Sequence, residues 1–217
     1  MTYNNSYYKD FESNTLKLPY EKLDRMFDMI KYELDREDIA VLDAGCGTGL
    51  ICKYLKEKGI KNITGIDKFE YPLSKAREFL PECNFIKFDL DEKLDFLDES
   101  FDLIVSNEVI EHLENPEVFF KESYRLLKTG GNLIIKTPNG LDLARLICKL
   151  TNRTWYADKD KTHIRYFNVS SLRNLLASCG FNKISIRTGT KPLLSVRGVR
   201  IPPIPYLGNG IVARGSK

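Results

Sequence analysis

Two carboxylates and an imidazole stand close together in the segment "NEVIEHLENP" at residues 107–116. Glu108, Glu111 and His112 occupy positions i, i+3 and i+4. If this segment is helical, all three side chains share one face, with neighbouring Cβ atoms about 5–6 Å apart. Carboxylate oxygens and imidazole nitrogens bind divalent cations and also transfer protons near neutral pH. The segment is therefore a candidate for metal binding or for acid–base catalysis.

The second of the chain's two histidines, His163, lies in the segment "DKTHIRYF". Both histidine segments follow candidate strands, so we expect them at the carboxyl edge of one sheet, where open α/β sheets bind ligands. A set of Glu108, Glu111, His112 and His163 suits Mg²⁺, Mn²⁺ or Zn²⁺. Two alternatives stay open. His163 is then a general base without a metal, or it only contacts the substrate while His112 lines the pocket wall.

The elements that must position these side chains alternate between strand and helix. Candidate strands lie at 39–45, 62–67, 83–90, 101–107, 131–139, 182–188 and 210–214. Candidate helices lie at 19–34, 49–58, 72–80, 115–131, 141–150 and 170–181. Short apolar strands that alternate with helices predict an α/β fold with a doubly wound, mostly parallel sheet. The two late strands have no helix between them and are expected to pair antiparallel at one edge.

A glycine-rich turn, "VLDAGCGTGL", follows the first strand at residues 41–50. Glycines here let the backbone approach a nucleotide-like ligand, and the next helix offers free N–H groups to an anion. A dinucleotide site expects its third glycine at position 50, which is Leu50 here. The pattern therefore disfavours NAD. Asp67 and Asp89 end the next two strands, within reach of a ribose and an adenine respectively.

These motifs, taken with "GID", "FDL", "FDLIVSNEVIEHL" and "LLKTGGNLIIKTPN", resemble those of class I S-adenosylmethionine-dependent methyltransferases of the type 11/12 group, over roughly residues 20–190. The resemblance implies a Rossmann-like seven-stranded sheet of order 3-2-1-4-5-7-6, with strand seven antiparallel. It also implies S-adenosylmethionine as cofactor and S-adenosylhomocysteine as product. By position, it implies cofactor contacts at Asp43, Gly45, Cys46, Gly47, Gly49, Asp67, Lys68, Asp89, Leu90 and Asn107.

The E-x-x-E-H segment is similar to the corresponding segment in two branches of this family. The ubiquinone-pathway O-methyltransferases share it, and the small-RNA 3′-terminal 2′-O-methyltransferases share it and add a histidine after "TPN". This chain lacks the accessory domains and the acidic residue after that histidine that the RNA enzymes have. The resemblance implies catalytic roles for Glu111, His112 and His163. We expect O-methylation of a hydroxyl on a small acceptor, such as a quinone precursor or an envelope sugar. RNA-terminal methylation and a non-catalytic cofactor-binding module are the alternatives.

The 217 residues are predicted to form one methyltransferase domain, residues 1–217. Within it we distinguish an N-terminal segment and helix (1–36), a lid-like insertion (140–169) and a basic, apolar loop (189–208). Trp155 in the insertion either lines the acceptor or is simply buried. Residues 161–217 contain ten Lys and Arg residues and no acid. This basic part is expected to contact an anionic or lipid-linked acceptor or a membrane surface, with nucleic acid less favoured, in a monomer or homodimer.

The location of the protein is also predicted from composition. The chain has no run of eighteen apolar residues, and its first residues, "MTYNNSYYKDFESN", lack the basic and apolar regions of a signal peptide. None of the five cysteines forms a C-x-x-C pair. We therefore expect a cytoplasmic protein with reduced thiols.

Overall fold

The computed structural model describes residues 21–31, 34, 36, 38–189, 195–196, 199–200 and 207–217. The predicted contribution of the N-terminal residues 1–20 lies outside this part of the chain. Most of the predicted loop 189–208 lies outside it as well.

A seven-stranded sheet forms the centre of the fold. Its strand order is β3-β2-β1-β4-β5-β9-β6, in which β9 is antiparallel to both of its neighbours and the other pairs are parallel. The predicted order 3-2-1-4-5-7-6 is confirmed, with β9 as the seventh strand. The strands are β1 (Ala40–Ala44), β2 (Asn62–Asp67), β3 (Asn84–Lys87), β4 (Phe101–Asn107), β5 (Leu127–Pro138), β6 (Asn182–Thr188) and β9 (Gly210–Ser216). A separate two-stranded pair joins β7 (Ser195–Val196) to β8 (Val199–Arg200).

Helices connect most of these strands and lie on both sides of the sheet. They are α1 (Glu21–Phe27), α2 (Leu50–Glu57), α3 (Glu70–Phe79), α4 (Pro116–Leu126), α5 (Leu143–Leu150) and α6 (Val169–Ser178). Two 3₁₀ turns occupy Ile110–His112 and Ala157–Lys159.

Successive residues of the central strands belong to different hydrophobic clusters, because side chains alternate between the two faces of a sheet. In β4, Ile104 packs into one cluster, whereas Leu103 and Val105 pack into the other. In β1, Leu42 and Val41 divide in the same way. Both faces of the sheet are therefore buried, which explains why the strands read as continuous apolar runs.

The helix predicted at 115–131 is wrong in its last turn. Helix α4 ends at Leu126, and β5 begins at Leu127, which pairs with Phe101 of β4. Farther along, the Lys217 N–H donates to the Gly131 carbonyl and the Gly130 N–H donates to the Lys217 carbonyl, at 3.1 Å each. The partners of this stretch are therefore distant in sequence, and they take its backbone out of the helix.

The helix predicted at 19–34 is also shorter than expected. Helix α1 ends at Phe27, although Met29 and Ile30 beyond it are buried. Arg214 of β9 donates to the Met29 carbonyl at 2.8 Å. A side chain from the sheet thus binds a carbonyl that a longer helix would use internally.

Candidate active site

The glycine turn is attached to β2 by its backbone. The Gly45 and Cys46 N–H groups both donate to the Ile66 carbonyl, at 2.8 and 2.9 Å. Gly45 has φ +82°, and a Cβ there would lie 2.4 Å from a methyl carbon of Val109. Position 45 therefore requires glycine, both for its backbone conformation and for the close approach of Val109.

Asp67 connects the glycine turn to the end of β2. Its carboxylate accepts from the Gly47 N–H and from the Phe69 N–H, both at 3.0 Å. The side chain is buried, and this burial raises the pKa of Asp67 while the two N–H donors act against the rise. A buried carboxylate at the carboxyl end of β2 is the chemistry that binding a ribose requires.

Asp43 is more deeply buried than Asp67. Burial raises the pKa of Asp43 to about 7, although the Cys52 thiol donates to its carboxylate at 3.3 Å. The Cys46 thiol is buried beside these acids, and burial followed by the Asp43 charge raises its pKa well above the usual range. Cys46 is therefore not a reactive thiolate in this structure, in line with a purely structural place in the turn.

The remaining predicted cofactor contacts follow β2 and β3 or end β4; β3 itself ends at Lys87, earlier than the predicted residue 90. The Lys68 ammonium pairs with the Asp89 carboxylate at 2.5 Å, which raises the pKa of Lys68. Leu90 is buried in a core cluster, and Asn107 ends β4, where its side-chain oxygen accepts from Lys136 at 3.1 Å. Positive-φ glycines and buried acids at the ends of successive strands thus fit a cofactor that has a ribose and an ammonium group.

The segment "NEVIEHLENP" is not an α-helix. Ile110–His112 form a 3₁₀ turn, and Glu108 before it has φ +56°. The Glu108 N–H donates to the Lys136 carbonyl at 2.7 Å, and its carboxylate pairs with the Lys136 ammonium at 2.8 Å. Glu108 is thereby fixed to β5 and lies outside the cluster formed by the other three predicted ligands.

Glu111, His112 and His163 do come together. One ligand atom from each lies within 4.8 Å of the others. The main chain maintains this arrangement, because the N–H groups of Ile164 and Arg165 donate to the Glu111 carbonyl at 3.1 and 3.3 Å. The sequence prediction that the two histidine segments meet at this edge therefore agrees with the structure.

Glu111 has an unusual environment for a carboxylic acid. Its side chain is fully buried; Oε2 accepts from the Thr137 hydroxyl at 2.9 Å, and Oε1 has no hydrogen-bond partner among the described residues. His163 Nε2 lies 4.0 Å from Oε1. Burial, with a smaller contribution from the Glu108 charge, raises the pKa of Glu111 well above its usual range. Such a group favours its neutral form until a cation or a protonated base is close.

The two imidazole rings lie next to each other, with centroids 4.7 Å apart. His112 Nδ1 contacts the Thr162 carbonyl at 3.2 Å and the Thr162 hydroxyl at 3.0 Å. Burial lowers the pKa of His112. His163 Nδ1 is buried without a hydrogen-bond partner in the described part of the chain, and Asp160 Oδ2 lies 3.9 Å from His163 Nε2.

Four residues of this site were not identified from the sequence. Lys136 and Thr137 lie near the end of β5, where Thr137 donates to Glu111 and Lys136 pairs with Glu108. Asp160 and Thr162 lie three residues and one residue before His163; Thr162 contacts His112, and Asp160 accepts from Thr162. The only sequence signal for them was proximity to His163, since nothing in the pattern indicated their hydrogen bonds.

Residues 140–169, which were predicted to form a lid-like insertion, are organised around a buried tryptophan. Trp155 donates its indole N–H to Asp142 at 2.9 Å and is 2% exposed. The Arg145 guanidinium lies over Tyr166 at 4.1 Å and over Trp155 at 5.2 Å. Of the two readings of Trp155, the structure therefore agrees with burial, and the indole anchors α5.

Helix α5 has an apolar stripe that the described residues leave exposed. None of its residues is buried, and its exposed apolar side chains include Leu146, Ile147 and Leu150, with Lys149 beside them. A cavity of about 690 Å³ runs along this helix and is lined by Leu146, Lys149 and Leu207 among others. No predicted cofactor or catalytic residue lines it. Within the described residues, no helix is long and apolar enough to cross a bilayer.

Comparison with known proteins gives one family. A family model for a methyltransferase domain matches residues 14–186. A ubiquinone biosynthesis O-methyltransferase from Dechloromonas aromatica is 35% identical over 103 residues, which cover 46% of this chain and 44% of that relative. The protein of the same name from Rickettsia bellii (strain OSU 85-389) is 33% identical over 117 residues, which cover 52% and 48%. The chain thus spans about half the length of the curated relatives it matches.

The solved structures agree on the fold. A SAM-dependent methyltransferase from Archaeoglobus fulgidus superposes with a TM-score of 0.71 at 21% identity, over 97% of this chain and 100% of that chain. Two buried acids, Asp43 before the glycine turn and Asp67 bonded to it, are consistent with this fold. The chain belongs to the methyltransferase domain family and has the fold of methyltransferases that depend on S-adenosylmethionine.

Proposed function

We propose that the chain transfers a methyl group from S-adenosylmethionine to a hydroxyl of a small acceptor with an apolar portion, of the kind found among quinone precursors. The observation that carries this proposal is the cluster of Glu111, His112 and His163. It adjoins the glycine turn, because Val109 of the same segment packs against Gly45. The curated relatives named for O-methylation in ubiquinone biosynthesis support the choice of a hydroxyl acceptor.

The cofactor, when bound, supplies an electrophilic methyl group on its sulfonium. The chain's own task is to align the acceptor oxygen with that methyl and to take up the hydroxyl proton. We assign Asp43 to the cofactor's ammonium and Asp67 to its ribose, because both acids are buried at the glycine turn. Asn107, which ends the neighbouring strand β4, is assigned to the same cofactor. Without a bound cation, His163 or His112 would take up this proton, since their imidazoles are the bases in this cluster.

The same cluster fits a divalent cation. Glu111 Oε1 is buried without a hydrogen-bond partner in the described part of the chain, and two imidazoles lie close enough to complete a set of three ligands. A cation bound there would lower the pKa of an acceptor hydroxyl, so that the hydroxyl could release its proton to solvent before methyl transfer. We propose Glu111, His112 and His163 as its ligands. Glu108 is left out because Lys136 pairs with it.

The acceptor's apolar portion has a candidate contact in α5. Leu146, Ile147 and Leu150 are exposed on this helix beside the Lys149 ammonium. A helix with an apolar stripe and basic neighbours is suited to contact a lipid-like tail, including a tail held in an anionic lipid surface. This supports a lipid-linked acceptor over a sugar or an RNA end.

The test is a methyl-transfer assay with labelled S-adenosylmethionine. Acceptors would be a catechol with and without an isoprenoid tail, a free sugar, and an RNA with a 3′-terminal 2′-hydroxyl. We expect turnover on the tailed catechol, loss on complete removal of divalent cations, and recovery with Mg²⁺, Mn²⁺ or Zn²⁺. Turnover on RNA alone would replace the proposal with RNA-terminal methylation.

Two other outcomes are informative. Cofactor binding without transfer to any acceptor would make the chain a binding module and overturn the proposed activity. Unchanged turnover after complete cation removal would exclude a catalytic metal and leave His163 as the proposed base. Glu111→Gln should lower transfer by at least about 10²-fold. Glu117→Gln, which alters an exposed glutamate on α4, is the matched control.

A further inference from the structure

We infer that Asp160, acting through the Thr162 hydroxyl, fixes His112 in the tautomer that carries its proton on Nδ1. This leaves the lone pair on Nε2, which is then the His112 atom able to bind a cation or to accept a proton. The functional meaning of this inference rests on the proposed function. The tautomer itself depends only on the contacts of three side chains, so it is testable separately.

The three residues form a short chain of hydrogen bonds. The Thr162 hydroxyl donates to Asp160 Oδ1 at 2.5 Å, and the Thr162 N–H donates to the same oxygen at 2.9 Å. His112 Nδ1 lies 3.0 Å from the Thr162 hydroxyl oxygen and 3.2 Å from the Thr162 carbonyl oxygen. Thr162 thus stands between a carboxylate and an imidazole, and it meets the imidazole with two of its oxygens.

Counting protons decides the tautomer. A hydroxyl has one proton to donate and two lone pairs that accept. When that proton goes to Asp160, the hydroxyl presents only lone pairs to the ring, and a carbonyl oxygen can only accept. His112 Nδ1 therefore faces two acceptors, and a lone pair on Nδ1 would be repelled by both. The favourable arrangement places a proton on Nδ1, so the other nitrogen is the basic one.

This arrangement resembles that of residues that hydrogen-bond to the histidine ligands of metal sites. A ligating histidine commonly donates its second N–H to a carboxylate or backbone carbonyl, which fixes the tautomer and the ring orientation. Here the carbonyl is that of Thr162. Asp160 accepts the proton of the Thr162 hydroxyl, so this hydroxyl does not donate to His112 Nδ1. Asp160 is thus a positioning residue for His112, from the segment that also carries His163.

These hydrogen bonds predict a distinctive pattern among variants. Asp160→Ala removes the acceptor, so the Thr162 hydroxyl is able to turn and donate to Nδ1, and the Nε2–H tautomer gains population. Asp160→Asn keeps an oxygen that accepts from Thr162 and should retain the Nδ1–H tautomer. Adding Thr162→Val to Asp160→Ala removes the competing donor and should restore Nδ1–H. A merely structural role for Asp160 predicts no such restoration.

The measurement is ¹⁵N NMR of the full chain labelled with ¹⁵N-histidine. The chain has two histidines, so a His163→Gln background leaves the His112 signals alone. Spectra would be recorded without cofactor, acceptor or cation at about pH 8.5, where a neutral imidazole is expected from the reference pKa of about 6.5. Protonated and unprotonated ring nitrogens have well-separated shifts. Backbone amide spectra of each variant check that it is folded.

We expect Nδ1–H in the parent, in Asp160→Asn and in the Asp160→Ala, Thr162→Val pair, and a shift toward Nε2–H in Asp160→Ala alone. A parent protein with Nε2–H, or an Asp160→Ala protein with an unchanged tautomer, would overturn the inference. Titration of the otherwise unaltered protein and of Asp160→Ala with Mn²⁺ alone adds a second readout. We expect binding weaker by about ten- to a hundredfold in the variant.

The outcomes separate the two proposals. If the tautomer pattern is found but no acceptor is methylated, the positioning role of Asp160 stands and the proposed function fails. If methyl transfer is found but the tautomer pattern is not, the proposed function stands and this inference fails.

Discussion

His163 Nε2 lies 4.0 Å from Glu111 Oε1, although the two residues are on opposite sides of β5 in the sequence. Main-chain hydrogen bonds from Ile164 and Arg165 to the Glu111 carbonyl create this proximity. Because backbone groups hold the two segments together, the site should keep its shape when one of its side chains is replaced. Substitutions here therefore test chemistry rather than folding.

Glu111→Gln should lower turnover and increase stability. Burial raises the pKa of Glu111, so ionisation of this side chain opposes folding. The contribution of Glu111 to stability is therefore fully present below about pH 4.3, the pKa of an unfolded glutamate, and is lost as the pH rises through the folded pKa. The glutamine keeps an acceptor for Thr137 but has no charge. We expect turnover to fall by at least about 10²-fold. Urea unfolding should show a stability gain over the parent of about 1.4 kcal/mol per pH unit within that window.

Glu117→Gln is the control for this prediction, because Glu117 is exposed on α4. It should leave turnover unchanged. A Glu111→Gln protein that is less stable than the parent at pH 8 would contradict the assigned environment of Glu111.

Cofactor binding should depend on pH through Asp43. Its pKa is about 7 in the structure because of burial, so the carboxylate is mostly protonated at pH 6 and mostly ionised at pH 8. If Asp43 binds the ammonium of the cofactor, affinity should rise with pH across this window. Calorimetry with S-adenosylhomocysteine should show about tenfold tighter binding at pH 8 than at pH 6, as expected for one proton released near pH 7. Asp43→Asn should bind weakly with a flat profile, and a variant that keeps the slope would refute the assignment.

Gly45→Ala should destabilise the fold more than Gly130→Ala. Both glycines have φ +82°, but a Cβ at Gly45 would lie 2.4 Å from Val109, whereas one at Gly130 meets open space. Gly130→Ala isolates the backbone cost of about 1–2 kcal/mol. Gly45→Ala adds overpacking of about 1–3 kcal/mol, measured by chemical unfolding. Combining it with Val109→Ala should recover part of the added cost, and equal losses at the two glycines would argue against the close approach of Val109.

Leu146→Glu and Leu150→Glu should impair methylation of a tailed acceptor selectively. Both side chains are exposed on α5, where the proposed tail contact lies. We expect KM for the tailed catechol to rise by about tenfold, since one lost apolar contact is worth about 1–3 kcal/mol, with little change for a catechol without a tail. Leu97→Glu is the matched control, since Leu97 is exposed at another surface. An equal effect on both acceptors would remove α5 from the acceptor site.

Much of the fold could be predicted from the sequence by itself. The alternation of short apolar strands with helices indicated the doubly wound sheet, and the resemblance to class I methyltransferases implied its strand order. The glycine turn and the acids at the ends of β1, β2 and β3 follow from local signals. These features depend on patterns within a few residues: apolar runs indicate buried strands, and glycines indicate turns. A single sequence is therefore enough to predict them.

Only the tertiary structure decided which polar groups meet. The helical spacing of Glu108, Glu111 and His112 predicted a shared face, yet Lys136 on the neighbouring strand draws Glu108 away from the other two. The contacts of Asp160 and Thr162 in the site were not predicted from the sequence. Strand β5 begins earlier than predicted because residues at its start pair with Phe101 and Lys217. The reason is physical. A hydrogen bond or ion pair between distant residues depends on where the topology places both partners, and the local pattern around either partner carries no record of the other.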